Sequence, residues 1–127
     1  MTLGGPIVLV LDDSVEDRFF LRRVLRKHRP DREVQEFVYA SEALDFLNQP
    51  FYSPIHLILC DINMPRMDGF EFADALETLF PDDETRPRVV MMSNSISPDD
   101  RARAEAHPMI ETFVSKPITL DTLRQLD

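Results

Sequence analysis

The chain has 127 residues, enough for one domain with a single hydrophobic core and too few for a second domain of ordinary size. Its 23 acidic residues outnumber its 14 basic residues and give a formal net charge of −9, which argues against direct binding to the phosphate backbone of nucleic acid. The single cysteine excludes an internal disulfide, no apolar run approaches the roughly 18 residues of a membrane span, and the first residues lack a signal-peptide pattern, so we expect a cytoplasmic protein without membrane insertion.

Short apolar runs alternate with longer amphipathic segments along the chain, a pattern typical of βαβ units with a parallel sheet. The predicted strands, in chain order, cover Ile7–Leu11, Val34–Val38, His56–Cys60, Arg88–Met92 and Thr112–Val114. The predicted helices cover Val15–His28, Ser41–Leu47, Phe70–Phe80, Asp99–Ala106 and Leu120–Leu126. The pattern therefore predicts one α/β domain over residues 1–127, with five strands, five helices and a short last helix.

The first predicted helix has the clearest apolar period. Its buried face is predicted to carry Phe20, Leu21, Val24 and Leu25, and Ser14 with Asp17 resembles a capping pair at its start. The strands at 7–11, 56–60 and 88–92 are apolar almost throughout, as expected for central strands covered on both faces. The segment VQEFV alternates instead, and this pattern favours a position at the edge of the sheet.

Polar side chains capable of chemistry follow four of the predicted strands. Asp12 and Asp13 come after the first strand, Asp61 after the third, Ser93 after the fourth and Lys116 after the fifth. Because the carboxyl ends of parallel strands meet at one edge of a sheet, we expect these side chains to converge on one cleft. Three carboxylates, a hydroxyl and an ammonium in one cleft suit phosphoryl transfer on a divalent cation.

The carboxylates indicate a magnesium site. Two adjacent aspartates at a strand end repel each other unless a cation lies between them. Mg²⁺ prefers oxygen ligands and commonly takes one or two protein carboxylates, a need that Asp13 and Asp61 can meet. The sequence around Asp12 and Asp13 is equally compatible with a solvated turn or a helix cap. Asp61 favours the metal site, because it directly follows the apolar run LILC, where an uncompensated charge is costly.

Residues 61–69, DINMPRMDG, reproduce the signature D-x-x-M-P-x-M-D-G. With this segment the chain closely resembles the receiver domains of two-component response regulators, and the resemblance extends to Asp12, Asp13, Ser93, Phe113 and the Lys116-Pro117 dipeptide. It implies a doubly wound, flavodoxin-like parallel sheet of order 2-1-3-4-5. It also implies a phosphorelay step in which a sensor histidine kinase or a phosphotransfer protein gives a phosphoryl group to Asp61, with Mg²⁺ as cofactor.

The resemblance further assigns roles around Asp61. It implies that Asp13 binds the metal directly, that Asp12 acts largely through water, and that Asn63 contributes its backbone carbonyl. Lys116 is expected to offset charge on the phosphoryl group. Side chains at the positions of Asn63 and Ser95 influence how water reaches the acyl phosphate in the family, so we expect self-catalysed dephosphorylation.

The resemblance also implies a switch between two conformations. Ser93 is expected to donate a hydrogen bond to the phosphoryl group, and the ring of Phe113 to fill the space that Ser93 leaves. This movement would alter the surface formed by the fourth helix, fifth strand and fifth helix, and with it the affinity for a downstream protein target. Three alternatives remain open: Ser93 as a helix cap, Ser95 as the functional hydroxyl, and Phe113 as an ordinary core aromatic.

Basic residues concentrate in and beside the first predicted helix. Half of the 14 lie there: Arg18, Arg22, Arg23, Arg26, Lys27, Arg29 and Arg32. Val15 and Phe19 fall with Arg22 and Arg26 on the face opposite the buried one, which predicts an exposed apolar contact inside a basic rim. We expect an acidic-rimmed helical phosphodonor to dock there, and a simple solvated charged face is the competing interpretation.

Other functions fit the sequence less well. A haloacid-dehalogenase-like phosphohydrolase also combines an aspartate, Mg²⁺, a hydroxyl and a lysine, but it carries its nucleophile after the first strand, usually as D-x-D. A flavodoxin-like redox protein needs a phosphate loop that is absent here. A receiver-like adaptor that never takes phosphate has no need of the complete set of acids and lysine. His28, His56 and His107 lack ligand spacing and are assigned no chemistry. We expect a signalling domain rather than an enzyme, one that catalyses only its own phosphorylation and dephosphorylation.

Overall fold

A computed structural model describes residues 7–49, 55–82 and 86–127 of the chain. In order, its elements are β1 (Ile7–Leu11), α1 (Val15–His28), β2 (Glu33–Phe37), α2 (Ala40–Leu47), β3 (Ile55–Asp61), α3 (Gly69–Leu79), β4 (Arg88–Ser93), α4 (Pro98–Ala106), β5 (Thr112–Ser115) and α5 (Leu120–Leu126). The strands form one parallel sheet in the order β2-β1-β3-β4-β5, which confirms the predicted doubly wound fold. Each predicted element is present within one residue of its predicted bounds. None of the described helices has the length and apolar character needed to cross a membrane.

The sheet is covered on both faces, and alternate residues of a central strand enter different cores. Leu9 packs on one side with residues of α2, α3 and α4, whereas Val8 and Val10 pack on the other side with residues of α1 and α5. All of β1 is buried, as its unbroken apolar sequence predicts. The alternating segment of β2 lies at the edge of the sheet and is only half-buried, which confirms its predicted position. Cys60 is buried in the core.

The prediction of the buried face of α1 is wrong for one residue, Phe20. Leu21 and Leu25 are buried and Val24 is half-buried, but Phe20 is 47% exposed. Successive residues of a helix point about 100° apart, and the contact of α1 with the core is centred on Leu21 and Leu25. Phe20 therefore falls beside this contact, against a small cavity that Lys116 and Pro117 also line.

The start of α3 fixes the loop that follows β3. The carboxylate of Asp68 accepts a hydrogen bond from the Glu71 amide at 2.9 Å, and the Glu71 side chain accepts one from the Asp68 amide at 3.0 Å, which together form a capping box. Gly69 follows directly and donates its amide hydrogen to the Ile62 carbonyl at 2.8 Å. A Cβ atom on Gly69 would lie 2.8 Å from the carbonyl oxygen of Asp61, so the backbone can approach Asp61 this closely only because residue 69 has no side chain.

Each of the three histidines pairs with a carboxylate in the structure. His28 of α1 and His56 of β3 both contact the Asp127 side chain, which is thereby held against the end of the sheet opposite the loop after β3. His107 ends α4 and contacts Asp74 of α3 at 2.7 Å. These contacts join elements that are distant in the sequence, in agreement with a structural role for the histidines.

We predict that Gly69→Ala lowers the free energy of unfolding by about 1–3 kcal/mol, because the new methyl group meets backbone atoms that cannot move aside. Urea denaturation measures the change, and Thr78→Ala, at an exposed position of α3, is the matched control with an effect within about 0.5 kcal/mol. Replacing glycine by alanine inside a helix usually stabilises a protein. A gain in stability for Gly69→Ala would therefore contradict the close packing described here.

Candidate functional site

The carboxyl ends of the strands bring one cation and several acids together. The Nζ atom of Lys116, which follows β5, lies 2.6 Å from Oδ2 of Asp12 and 2.9 Å from Oδ2 of Asp61. Asp12 follows β1 and Asp61 ends β3, so the three residues lie at the carboxyl ends of three different strands of the sheet. The structure thus places these side chains in one cleft, where the order of the strands predicts that they lie.

Asp12 is the most buried acid of this cleft, with 2% of its side chain exposed. Its Oδ1 atom accepts a hydrogen bond from the Ser14 amide at 2.9 Å, and its carbonyl oxygen accepts one from Arg18 of α1 at 2.7 Å. Arg18 also pairs with Glu36 of β2 at 3.3 Å. These contacts fix both the backbone and the carboxylate of Asp12, whereas the neighbouring Asp13 is exposed.

Asp61 combines burial with a set of directed hydrogen bonds. Its Oδ1 atom accepts from the Asn63 amide at 3.0 Å, and its Oδ2 atom accepts from Lys116. Burial raises the pKa of the Asp61 carboxyl group, and the charge of Asp12 adds to this effect. The hydrogen bonds from Lys116 and Asn63 lower the pKa but do not cancel the rise. The Asp61 carboxylate is thus more basic than an exposed aspartate.

Lys116 is held from both its backbone and its side chain. Its amide donates to the Ser93 carbonyl at 2.9 Å, and its peptide bond to Pro117 is cis. Burial acts to lower the pKa of the ammonium, but the hydrogen bonds to Asp12, Asp61 and Asp17 outweigh burial and raise the pKa above its ordinary value. The side chain is therefore positively charged at neutral pH.

The predicted hydroxyl lies at the end of β4. Ser93 is buried, and its Oγ atom donates to the Ser95 carbonyl at 2.8 Å and accepts from the Ser95 amide at 3.1 Å. The hydroxyl is thus engaged with its own loop. Ser95 and Asn63 are both exposed beside the cleft. The ring of Phe113 in β5 is half-buried. The guanidinium carbon of Arg101 lies over this ring, 4.6 Å from the ring centroid.

The predicted docking residues lie on the exposed side of α1. Val15 is 66% exposed and Phe19 is 52% exposed. The guanidinium carbons of Arg22 and Arg23 each lie 5.8 Å from the centroid of the Phe19 ring, so basic groups border the apolar surface as expected. Arg22 also pairs with Glu36 at 2.8 Å, which neutralises part of that basic rim. Phe20 is exposed as well, and it lines a small cavity together with Asp12 and Lys116 of the cleft.

Two residues of the first turn of α1 enter the site although their roles there were not predicted. Asp17 accepts a hydrogen bond from Lys116 at 3.0 Å, and Arg18 holds the Asp12 carbonyl. The sequence indicates only a capping pair of Ser14 and Asp17. One signal was present: because α1 begins directly after β1, the first turn of the helix must lie at the same edge of the sheet as Asp12 and Asp13.

Two groups of side chains have the ligand types and spacing to hold a metal ion among the described residues. In the first group, Asp12, Asp13 and Asp61 each offer an oxygen atom within 4.8 Å of the others. Such a set of carboxylates fits a hard divalent cation.

The second group consists of Asp74, Glu77 and His107. The Met109 amide donates to Nδ1 of His107 at 3.1 Å, so the neutral ring carries its proton on Nε2, which faces Asp74 at 2.7 Å. A ring nitrogen that carries a proton cannot bind a metal. The contact between His107 and Asp74 therefore joins α3 to the end of α4. The aspartates of the cleft are the better cation site of the two groups.

The chain is similar to known proteins over almost its whole length. The family model of the response regulator receiver domain matches residues 8–126. The cyclic di-GMP phosphodiesterase response regulator RpfG of Xanthomonas campestris is 32% identical over 120 residues, which cover 94% of this chain and 30% of that protein. The two-component response regulator ORR3 of Oryza sativa is 33% identical over 114 residues, which cover 89% of this chain and 81% of that protein.

Among solved structures, a two-component response regulator from Cytophaga hutchinsonii is similar, with 29% identity and a TM-score of 0.86 over 98% of this chain and 95% of that chain. The chain spans only 30% and 8% of the first curated relatives that it matches. The likeness therefore concerns one domain of those longer proteins.

We predict that Asp61→Asn raises the free energy of unfolding at pH 7 by about 0.5–2 kcal/mol, because it removes a charge whose burial costs more than its hydrogen bonds to Lys116 and Asn63 return. The native state binds the Asp61 proton more tightly than the unfolded state does, since the pKa is raised. The cost of the charge is therefore absent below the ordinary pKa of aspartate and fully present above the raised value.

Urea denaturation between pH 3.5 and pH 8 measures this difference, with Asp45→Asn at an exposed position of α2 as the control. The gain for Asp61→Asn should shrink as the pH falls towards the ordinary aspartate range, and Asp45→Asn should show no such trend. Equal stability of the Asp61 variant and the native protein at all pH values would contradict the assigned burial cost.

Proposed function

Because the chain belongs to the response regulator receiver domain family, whose members act as phosphorylation-dependent signalling switches, we propose that Asp61 is its phosphoacceptor. The donor in this proposal is a phosphohistidine on a sensor histidine kinase or a phosphotransfer protein. The observation that carries the proposal is the contact between Nζ of Lys116 and Oδ2 of Asp61 at 2.9 Å, beside two further aspartates at the same edge of the sheet. Residues 1–127 act as one receiver domain in this proposal.

The donor set of the cleft fits Mg²⁺, because Asp12, Asp13 and Asp61 offer hard oxygen atoms close together. Asp13 and Asp61 would bind the ion directly, Asp12 would act largely through water, and Asn63 would contribute its backbone carbonyl. The bound ion would add positive charge beside the Asp61 carboxylate. The exposure of Asp13 leaves room for the water ligands that Mg²⁺ keeps.

The residues of the chain supply position and charge for the transfer itself. A carboxylate oxygen of Asp61 attacks the phosphorus atom, the new bond between oxygen and phosphorus forms, and the bond between phosphorus and the donor nitrogen breaks. The electron pair of that bond leaves with the donor imidazole. Lys116 keeps its positive charge throughout, since its pKa is raised, and offsets the charge on the phosphoryl oxygens. The backbone amide of Asn63 orients the Asp61 carboxylate through its hydrogen bond to Oδ1.

The switch in this proposal begins with Ser93. Its hydroxyl must leave the Ser95 carbonyl before it can donate to a phosphoryl oxygen. The ring of Phe113, which is half-buried under Arg101, then fills the space beside β4. The surface of α4, β5 and α5 changes, and the affinity for a downstream protein target changes with it. Coupling energies of this kind are typically about 1–3 kcal/mol.

Two further parts of the proposal concern the lifetime of the acyl phosphate and the docking of its donor. Asn63 is hydrogen-bonded to Asp61 and Ser95 to Ser93, and both residues are exposed, so in this proposal their side chains orient water for self-catalysed hydrolysis. The surface formed by Val15, Phe19 and Arg22 is the proposed contact for an acidic-rimmed helix of the donor.

We predict that the chain gains one phosphoryl group, about 80 Da, when incubated with Mg²⁺ and acetyl phosphate, and that Asp61→Asn abolishes this gain. Intact mass spectrometry measures the addition. Asp45→Asn, which removes an exposed carboxylate outside the cleft, should be phosphorylated like the native chain. A well-folded native chain that stays unmodified, or an Asp61 variant that is modified equally, would contradict the proposal.

We predict that Mg²⁺ stabilises the fold and that Asp13→Asn weakens the effect. An ion at ten times its dissociation constant adds about 1.4 kcal/mol to the free energy of unfolding when it binds only the native state. Thermal melts at increasing Mg²⁺ concentration measure the effect. In Asp13→Asn the same stabilisation should need at least about tenfold more Mg²⁺, since one of the two direct carboxylate ligands is lost. Identical titrations for both proteins would refute the assignment of Asp13.

A further inference from the structure

The first turn of α1 brings a fourth carboxylate to the site. Oδ2 of Asp17 lies 3.0 Å from Nζ of Lys116, although the two residues are 99 positions apart. We propose that Asp17 is a positioning residue for Lys116, which holds the ammonium away from an incoming phosphoryl group and so opposes phosphorylation. The inference rests on the proposed function, because it concerns the lysine of the same cleft.

The hydrogen-bonding capacity of Lys116 is already used. An ammonium group has three N–H donors. Three carboxylates accept from Nζ: Asp12 at 2.6 Å, Asp61 at 2.9 Å and Asp17 at 3.0 Å. A phosphoryl oxygen can therefore receive a hydrogen bond from Lys116 only after one of these acceptors has released it.

Exposure decides which acceptor releases Lys116. The side chain of Asp12 is 2% exposed, so the loss of its cation would strand a buried charge. Asp61 carries the phosphoryl group and stays beside the ammonium. The side chain of Asp17 is 41% exposed, so water can solvate its carboxylate once the contact is broken. A cavity of about 90 Å³, lined by Asp17, Phe20 and Lys116 among others, gives both side chains room to separate.

The backbone of Asp17 is fixed in place. Its amide donates to the capping hydroxyl of Ser14 at 3.2 Å. The next residue, Arg18, donates to the Asp12 carbonyl and pairs with Glu36, which fastens this turn of α1 to β1 and β2. The fold therefore keeps the Asp17 backbone where its carboxylate can reach Lys116.

The charge of Asp17 acts in the same direction as its hydrogen bond. A phosphoryl group adds a charge of roughly −1.5 to −2 to a cleft that already contains three aspartates. The Asp17 carboxylate adds repulsion for this group while it competes for the cation. Removal of the charge should thus strengthen the binding of a phosphoryl mimic, whereas simple damage to the site would weaken it.

Titration of the full chain with beryllofluoride in the presence of Mg²⁺ tests the proposal. We expect Asp17→Asn to bind this phosphoryl mimic about two- to fivefold more tightly than the native chain, the range that corresponds to a partly exposed ion pair. Glu16→Gln is the matched control, because Glu16 is exposed in the same turn, carries the same charge and is not an acceptor of Lys116. Asp17→Glu, which restores the charge, should bind the mimic like the native chain.

The outcomes separate this inference from the function on which it rests. If the native chain binds beryllofluoride and Asp17→Asn binds it no more tightly than Glu16→Gln does, the role of Asp17 is overturned while the phosphoacceptor site stands. If the native chain does not bind the mimic, both are overturned. Asp17→Ser provides the same comparison if Asp17→Asn does not fold, and tighter binding by either variant supports the proposal.

Discussion

The cleft depends on the contacts of the Lys116 ammonium group with the carboxylates of Asp12 and Asp61. The ammonium is the cation that lies between Asp12 and Asp61, two carboxylates that would otherwise face each other with little water around them. A buried carboxylate without a partner costs several kcal/mol, so the acids can be held this close only with a positive charge between them. Lys116 follows β5 at one edge of the sheet, Asp61 ends β3, and Asp12 follows β1. The cleft is therefore complete only when the four neighbouring strands from β1 to β5 have paired, which links the integrity of the fold to the proposed chemistry.

The features that could be predicted from the sequence are those that local pattern and strand order determine. Apolar runs and amphipathic segments indicated each strand and helix to within one residue, because period and length differ between the two. The convergence of Asp12, Asp61 and Lys116 followed from one rule, that parallel strands end at the same edge. The segment from Asp61 to Gly69 indicated the family, and the structure adds the reason for its glycine, since a Cβ atom there would meet the Asp61 carbonyl.

The features that could not be predicted depend on where side chains point after packing. The contact of Asp17 with Lys116 joins two residues that share no sequence pattern. The position of Asp17 in the predicted cap of α1 was sufficient to explain an aspartate there, so nothing pointed to a second role. The orientation of the Ser93 hydroxyl towards Ser95 depends on the path of one loop. Phe20 was misplaced because a helical wheel gives the direction of a side chain but not the width of the packing contact. The pairing of His28 and His56 through Asp127 likewise requires the tertiary structure.

The central claim is that Lys116 compensates the buried acids of the cleft, and a double-mutant cycle between Lys116 and Asp12 tests it most directly. Urea denaturation of the native chain, Lys116→Met, Asp12→Asn and the double variant gives the coupling free energy of the pair. The contact at 2.6 Å between buried groups predicts a favourable coupling of at least about 1 kcal/mol, with Lys116→Met much less damaging once Asp12 is neutral. Strictly additive effects of the two substitutions would contradict the account.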